Sequence, residues 1–157
     1  MRITLDEFDK QIIDILQADP VISNKDLAQK IGLSPSACLG RTKRLKEIGL
    51  IKQFAAIIDE KMMGFEVSAF TFLNLSPHNR DISNAFLAKI KETPQIIECH
   101  NITGNWDYLI KIVFKDLPSC RDFLIDTLLA FPGVNKIETC MVLSTDKQSF
   151  CLPSDNI

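Results

Sequence analysis

Apolar residues at Leu5, Phe8, Ile12, Ile15 and Leu16 recur at three- and four-residue intervals, which places them along one buried face of a helix. Thr4 and Glu7 predict a capping box at its start. Asp19-Pro20 predicts its end, because the residue before a proline avoids helical geometry. Ser23 and Asp26 predict the start of a second helix, with Leu27, Ala28 and Ile31 as its apolar face. Gly32 can take the left-handed conformation that stops it. Ser34-Pro35, a cap followed by a proline suited to the first turn, predicts a third helix over Pro35 to Ile48, with Gly49 to terminate it. Leu27, Ile31, Leu33, Cys38 and Leu45 would close a small core between the helices.

Beyond these helices the periodicity changes. Leu50 to Asp59 is rich in β-branched and apolar residues and predicts an extended segment, a strand or wing followed by a linker. Met62-Met63-Gly64 breaks the run. The expected organisation is therefore a first domain over 1–59, with its linker strand, and a second over 60–157. Two similar halves follow. The first has a strand over Val67 to Leu75, a helix over Ile82 to Lys91 ending at Thr93-Pro94, and a strand over Ile96 to Thr103. The second has a strand over Tyr108 to Phe114, a helix over Ser119 to Phe131 ending at Pro132-Gly133, and a strand over Val134 to Ser144. This order predicts an α+β chain whose second domain is a ferredoxin-like βαββαβ sheet with both helices on one face. The strands look apolar on both faces: Phe70, Phe72, Leu73 and Leu75 in one, Leu109, Ile110, Ile112, Val113 and Phe114 in another. The face without helices needs a cover, and a second copy of the chain is the simplest one.

Charge sharpens this picture only locally. The 157 residues carry a formal net charge of −2, which says nothing about partners. The cations cluster, however: Arg41, Lys43, Arg44 and Lys46 follow one another without an intervening acid. Five cysteines at wide spacing, with no Cys-x-x-Cys pair and only two histidines, make a poor disulfide framework and an improbable zinc site. No cofactor is expected. The first residues lack the apolar core of a secretory signal, and no run is long enough to span a bilayer, so no membrane role and a reducing cytoplasm are expected.

Two short helices joined by a tight turn form the geometry of a DNA-reading unit. Ser34, Ser36, Ala37, Gly40, Arg41, Lys43 and Arg44 lie away from the expected core. Short side chains let a helix approach base edges, and cations meet phosphate. Arg41→Ala or Arg44→Ala is then expected to weaken duplex binding and shallow its salt dependence. The same spacing also fits a plain three-helix bundle with a solvated basic face. Gly40 inside a helix costs about 1 kcal/mol relative to alanine, and either a close approach to DNA or a tolerated weak point accounts for it. Catalysis is not expected: Cys99 and His100 are neighbours on a strand and point to opposite faces, and no phosphate-binding glycine loop follows a strand. The rival reading is a stand-alone amino-acid sensor without a DNA function.

The assembled motifs resemble the Lrp/AsnC family of transcriptional regulators, the leucine-responsive and asparagine-responsive or feast/famine proteins. The resemblance rests on Leu5-Asp-x-x-Asp9-x-x-Ile12, Ser23-Asn24-x-x-Leu27-Ala28, Ile31-Gly32-Leu33-Ser34-Pro35-Ser36, Cys38-Leu39-x-Arg41-x-x-Arg44-Leu45, Gly49-Leu50-Ile51, Glu98-Cys99-His100, Thr103-Gly104-Asn105-x-Asp107-Tyr108-Leu109 and Leu128-x-x-x-Pro132-Gly133-Val134. It implies a winged helix-turn-helix before the βαββαβ domain, dimers that assemble to octamers, and a small amino-acid effector such as leucine or methionine. It also implies an effector site drawn from His100, Thr103, Gly104, Asn105, Trp106, Asp107 and Tyr108, with Thr139, Cys140 and Met141 from the last strand. The loop has a matching logic. Backbone amides of Gly104-Asn105-Trp106 could form a nest for a carboxylate, and Asp107 could take an ammonium. Asn105 stands where many relatives carry Asp, and Gly40 where many carry a larger residue.

Overall fold

The computed structural model describes residues 4–153, in two compact units. The first unit runs through Ile57 and also takes the residues from Lys147 onward; the second spans Ile58 to Asp146. The second unit is thus shorter than the expected domain over 60–157, because the last stretch of chain returns to the first.

Three helices build the first unit: α1 (Glu7–Ala18), α2 (Asn24–Ile31) and α3 (Pro35–Glu47). The expected capping box at Thr4 and Glu7 lies two residues further on. Asp6 caps α1 by accepting the Asp9 amide at 2.9 Å, and Asp9 accepts the Asp6 amide in return at 3.3 Å. A carboxylate serves this reciprocal bond as well as a hydroxyl, and it also meets the positive end of the helix dipole. Ser23 caps α2 and Ser34 caps α3, as the spacing predicts. Gly32 ends α2 at φ 72°, and the Leu33 amide reaches back to the Ala28 carbonyl at 2.9 Å; only a residue without Cβ enters that region at no cost. Ile12, Leu16, Leu27, Ala28, Ile31, Cys38 and Leu45 are buried together. The residues after Ile51 join no strand through Ile58, so the strand expected there does not form, and Ile57 and Ile58 are exposed. Near the end of the chain, the Gln17 carboxamide clasps the backbone of Leu152: Leu152 N–H donates to Oε1 at 2.6 Å and Nε2 donates to the Leu152 carbonyl at 3.0 Å.

The second unit is a four-stranded antiparallel sheet in the order β2-β3-β1-β4, made of β1 (Val67–Leu75), β2 (Ile96–Asn101), β3 (Tyr108–Phe114) and β4 (Val134–Met141). This is the ferredoxin-like arrangement. Helix α4 (Arg80–Glu92) and α5 (Leu117–Asp122) supply Phe86, Ile90 and Cys120 to a core with Ala69, Leu73, Leu75, Ile110, Ile112 and Phe114. The helix expected over Ser119 to Phe131 is not uniform. After α5 the chain makes a wide π-turn over Phe123–Thr127 and a tight 3₁₀ turn over Leu128–Ala130. An unbroken α-helix would carry Phe123 on to polar Thr127 along its buried stripe. The wide turn skips Thr127, which is exposed, and delivers Leu128 to the core, fully buried. Gly133 then turns into β4 at φ 75°, and a Cβ there would collide with Ile82 Cγ2.

Strand alternation puts Phe70 and Phe72, with their cross-strand partners Lys111, Cys140, Leu109 and Glu138, on the face away from the helical core. That face has an apolar centre and a charged surround, and so is less uniformly apolar than the sequence suggests. Lys111 lies within it, largely buried and paired with Glu60 at 2.9 Å.

Candidate functional sites

Helix α3 shows its character by angle. Successive residues turn by about 100°, so Cys38 and Leu45 mark the buried side and Ser36, Gly40 and Lys43 cluster opposite. Ser34, Ser36, Ala37, Gly40, Lys43 and Arg44 are exposed. Nothing lies within 4 Å of the position a Gly40 Cβ would take, so internal packing does not require glycine there. Lys43 projects at 75% side-chain exposure, loosely paired with Glu47 at 3.7 Å. Lys46 reaches back over the Phe54 ring, 4.7 Å from its centroid.

Arg41 departs from the expected exposed face. Its guanidinium is half-buried, donates to both oxygens of Asp6 at 2.9 and 2.8 Å and to Asp9 Oδ1 at 2.9 Å, and lies 5.3 Å from the Phe8 ring centroid. These carboxylates hold Arg41 firmly protonated, and the Asp9 amide together with Arg41 holds the Asp6 carboxyl below the ordinary aspartate range. Arg44 pairs with the other Asp9 oxygen, Oδ2, but keeps half of its side chain in solvent. Asp9 itself is buried to 1% exposure. No role was read for Asp6 or Asp9 from sequence beyond their place in the family motif, although Asp9 sits three residues before Ile12 and seven before Leu16, on the buried stripe of α1. An acid in that position needs a cationic partner, and α3 carries the cations.

The loop between β2 and β3 is tied into the sheet. Asn74 donates to the Asn105 carbonyl at 3.1 Å, and the Asp107 amide donates to Leu73 O and Asn74 Oδ1 at 3.0 and 3.1 Å. Asp107 Oδ2 accepts the Leu75 amide at 2.8 Å and lies 3.3 Å from His78 Nε2. The residue expected to take an ammonium therefore already holds its own sheet together. Among the described residues, nothing accepts a hydrogen bond from the amides of Gly104, Asn105 or Trp106. Trp106 packs against Phe72 at 6.0 Å between centroids, with Lys136 Nζ 4.7 Å from its ring. Asn74, His78, Phe72 and Lys136 were missed by sequence, since each is ordinary where it stands and only the sheet register brings it to the loop.

The other expected effector residues divide. Thr103 is exposed beside the loop. His100 faces outward on edge strand β2, 3.1 Å from Glu98, while Cys99 pairs across from buried Ile110 on the opposite face. Tyr108 belongs to the core, 4.9 Å from the Phe86 ring and 8% exposed, so it is a packing residue rather than a loop contact. Thr139 bonds Thr71 at 3.0 Å towards the helical side, whereas Cys140 stands exposed opposite Phe70 on the outer face and Met141 is exposed at the strand end. The three β4 residues therefore do not line one surface.

Comparison with known proteins accords with both units. A profile for winged helix-turn-helix DNA-binding domains matches residues 5–52, and one for the Lrp/AsnC ligand binding domain matches residues 68–151. The transcriptional regulator AzlB of Bacillus subtilis is 50% identical over 157 residues, covering all of both chains. The leucine-responsive regulatory protein of Escherichia coli is 35% identical over 145 residues, 92% of this chain and 88% of that one. A transcriptional regulator from Neisseria meningitidis, solved in complex with L-Met, superposes with a TM-score of 0.92 at 31% identity, covering 98% and 99% of the two chains. With the sheet order and the helix-turn-helix already in view, these matches establish that the chain belongs to the Lrp/AsnC family of transcriptional regulators.

Proposed function

We propose that the protein reads duplex DNA with the outer face of α3 and adjusts that binding to a small amino acid held at the loop over residues 103–107. The observation that carries the DNA reading is the front of α3. Ser36, Ala37 and Gly40 are short and exposed, a side chain at Gly40 would meet nothing internal, and Lys43 stands beside them. Short side chains admit base edges, and flanking cations neutralise phosphate. A stand-alone sensor would have no use for such a face. Ser34, Lys43 and Arg44 serve the backbone, Ser36, Ala37 and Gly40 the groove.

At the loop, the unpaired amides of Gly104, Asn105 and Trp106 suit an amino-acid carboxylate, and the Trp106 ring offers an apolar surface. Asp107 and His78 supply the polar edge. Leucine and methionine, bound or sensed by the relatives named above, are the first effectors to test. The outer sheet face, centred on Phe70, Phe72 and Leu109, pairs with its copy in a homodimer, and dimers assemble further to an octamer in the cytoplasm. Dimers also suit a helix-turn-helix, because paired reading helices meet half-sites about one helical turn apart.

A thermal-shift screen of the twenty amino acids tests the sensing half, since a bound ligand raises apparent stability by mass action. A rise in melting temperature with an aliphatic or thioether amino acid, absent with charged ones, is the expected result. A flat response across all twenty would remove the effector reading and leave the DNA reading standing.

A further inference from the structure

We propose that Asp9 is a positioning residue for the DNA-reading helix, acting through Arg41, and that Arg41 is a strut between helices rather than a phosphate contact. The proposal rests on the reading of α3 as the DNA-binding element and divides its cations by role.

The geometry is specific. Asp9 is buried at the start of α1, and its two oxygens face two guanidiniums from α3, Arg41 on Oδ1 and Arg44 on Oδ2. Arg41 adds both oxygens of Asp6, and the Phe8 ring stands beside it. Every polar partner of Arg41 thus comes from the first turn of α1. All three bonds leave one nitrogen, Nη1, so two carboxylates of one element hold the end of the Arg41 side chain against the start of α1. Arg41 lies about 100° around α3 from Gly40 and about 160° from Lys43, more than half-way from the exposed front to the buried side. For Arg41 to reach phosphate it would have to abandon carboxylates already capping α1. Lys43 has no such tie. The acidic cap of α1 is therefore also the clamp that sets the rotation of α3 in its groove. A cleft of about 550 Å³ between the two helices, lined by Asp6, Asp9, Ala37, Gly40, Arg41 and Arg44, marks the seam.

A strut and a phosphate contact predict different things. Each phosphate contact releases counterions, so its loss lowers the salt slope of binding by about one per reading helix engaged. Losing a strut leaves the slope intact and lowers discrimination between sequences, because the helix still meets the backbone but presents its front at the wrong angle. The test uses the full-length protein, a duplex enriched from a random pool by the wild type, and a scrambled duplex of the same composition. Affinities are measured across a salt series for Arg41→Met, Arg41→Lys, Asp9→Asn and Lys43→Met, with circular dichroism to verify folding.

Arg41→Met and Asp9→Asn should keep the wild-type slope and lose about tenfold in the ratio of enriched to scrambled affinity, comparable to the loss from one mismatched base pair. Arg41→Lys keeps the charge and a single donor nitrogen, so it should restore much of the ratio that Arg41→Met loses, at the wild-type slope. Lys43→Met should lower the slope by about one per reading helix engaged and leave the ratio nearly unchanged. The proposal is overturned if Arg41→Met flattens the slope as Lys43→Met does, or if Arg41→Met leaves the ratio unchanged. If Arg41→Met fails to fold, Asp9→Asn decides by the same two readouts, and if Asp9→Asn fails, Arg41→Met does. A wild type that enriches no duplex would instead overturn the DNA-binding reading itself.

Discussion

Single residues in this chain answer more than one demand, and the conflicts are where mutations are informative. Gly40 weakens α3 for no internal reason. Gly40→Ala should raise the stability of the protein to urea by about 1 kcal/mol, the helix-interior difference between the two residues, while weakening duplex binding in an anisotropy titration. A substitution that stabilises the fold and leaves binding untouched would show the position to be a tolerated weak point. Asp107 has the opposite profile. Its carboxylate accepts the Leu75 amide, so Asp107→Ala strands a partly buried donor and should cost about 1–3 kcal/mol in a urea melt. It should also abolish the thermal shift given by the effector. Normal effector affinity in that variant, by calorimetry, would confine Asp107 to its structural bond.

At the scale of elements, caps decide where helices begin, and two of them titrate. The Asp6 carboxyl at α1 lies below its ordinary range, chiefly through the Asp9 amide, and so does the Asp116 carboxyl at α5, through the Ser119 hydroxyl and amide. A carboxyl depressed in the folded state contributes stability above its unfolded pKa and loses it as pH falls through the folded value. Both caps should therefore hold through neutral pH and weaken only on the acid side of the ordinary aspartate pKa. A urea midpoint that is flat from pH 7 to about 5 and then falls more steeply in wild type than in Asp116→Asn would match this. Most elements could be read from the sequence because their signals are local. Ser23, Gly32 and Ser34 each act on amides and carbonyls within a few residues, and the alternation over Val67–Leu75 shows directly in its burial. What escaped was non-local. The cap at Asp6 rather than Thr4 draws on Arg41, thirty-five residues away. The break in the helix after Asp122 reflects the need to bring Leu128, rather than Thr127, to the sheet. The clamps of the loop before β3, Asn74 and His78, come from another strand and the turn after it, and neither has a sequence signature.

For the whole molecule, the outer sheet face tests assembly. It carries Phe70 and Phe72 at its centre and the exposed Cys140 opposite Phe70. If two such faces meet, Cys140 should react slowly with a thiol reagent while exposed Cys151 reacts at once, and Phe70→Lys should yield a smaller species by sedimentation with Cys140 newly reactive. Fast labelling of both thiols in the wild type would refute pairing through the sheets. Buried Cys38 and Cys120, whose thiols burial pushes up, should stay silent in either case. The clasp of Gln17 on Leu152 bears on architecture in another way. Because the chain returns to the first unit after Asp146, the ligand-binding unit is topologically an insert, entered and left through the same body. Such an insert, when folded, sets the separation of its own two ends; when unfolded, it becomes a loose loop whose length adds little further closure entropy. A single proteolytic nick in the exposed stretch around Ile57 thus removes one tether and leaves the other, so the helix-turn-helix cannot be treated as a fragment cut from the end of a string.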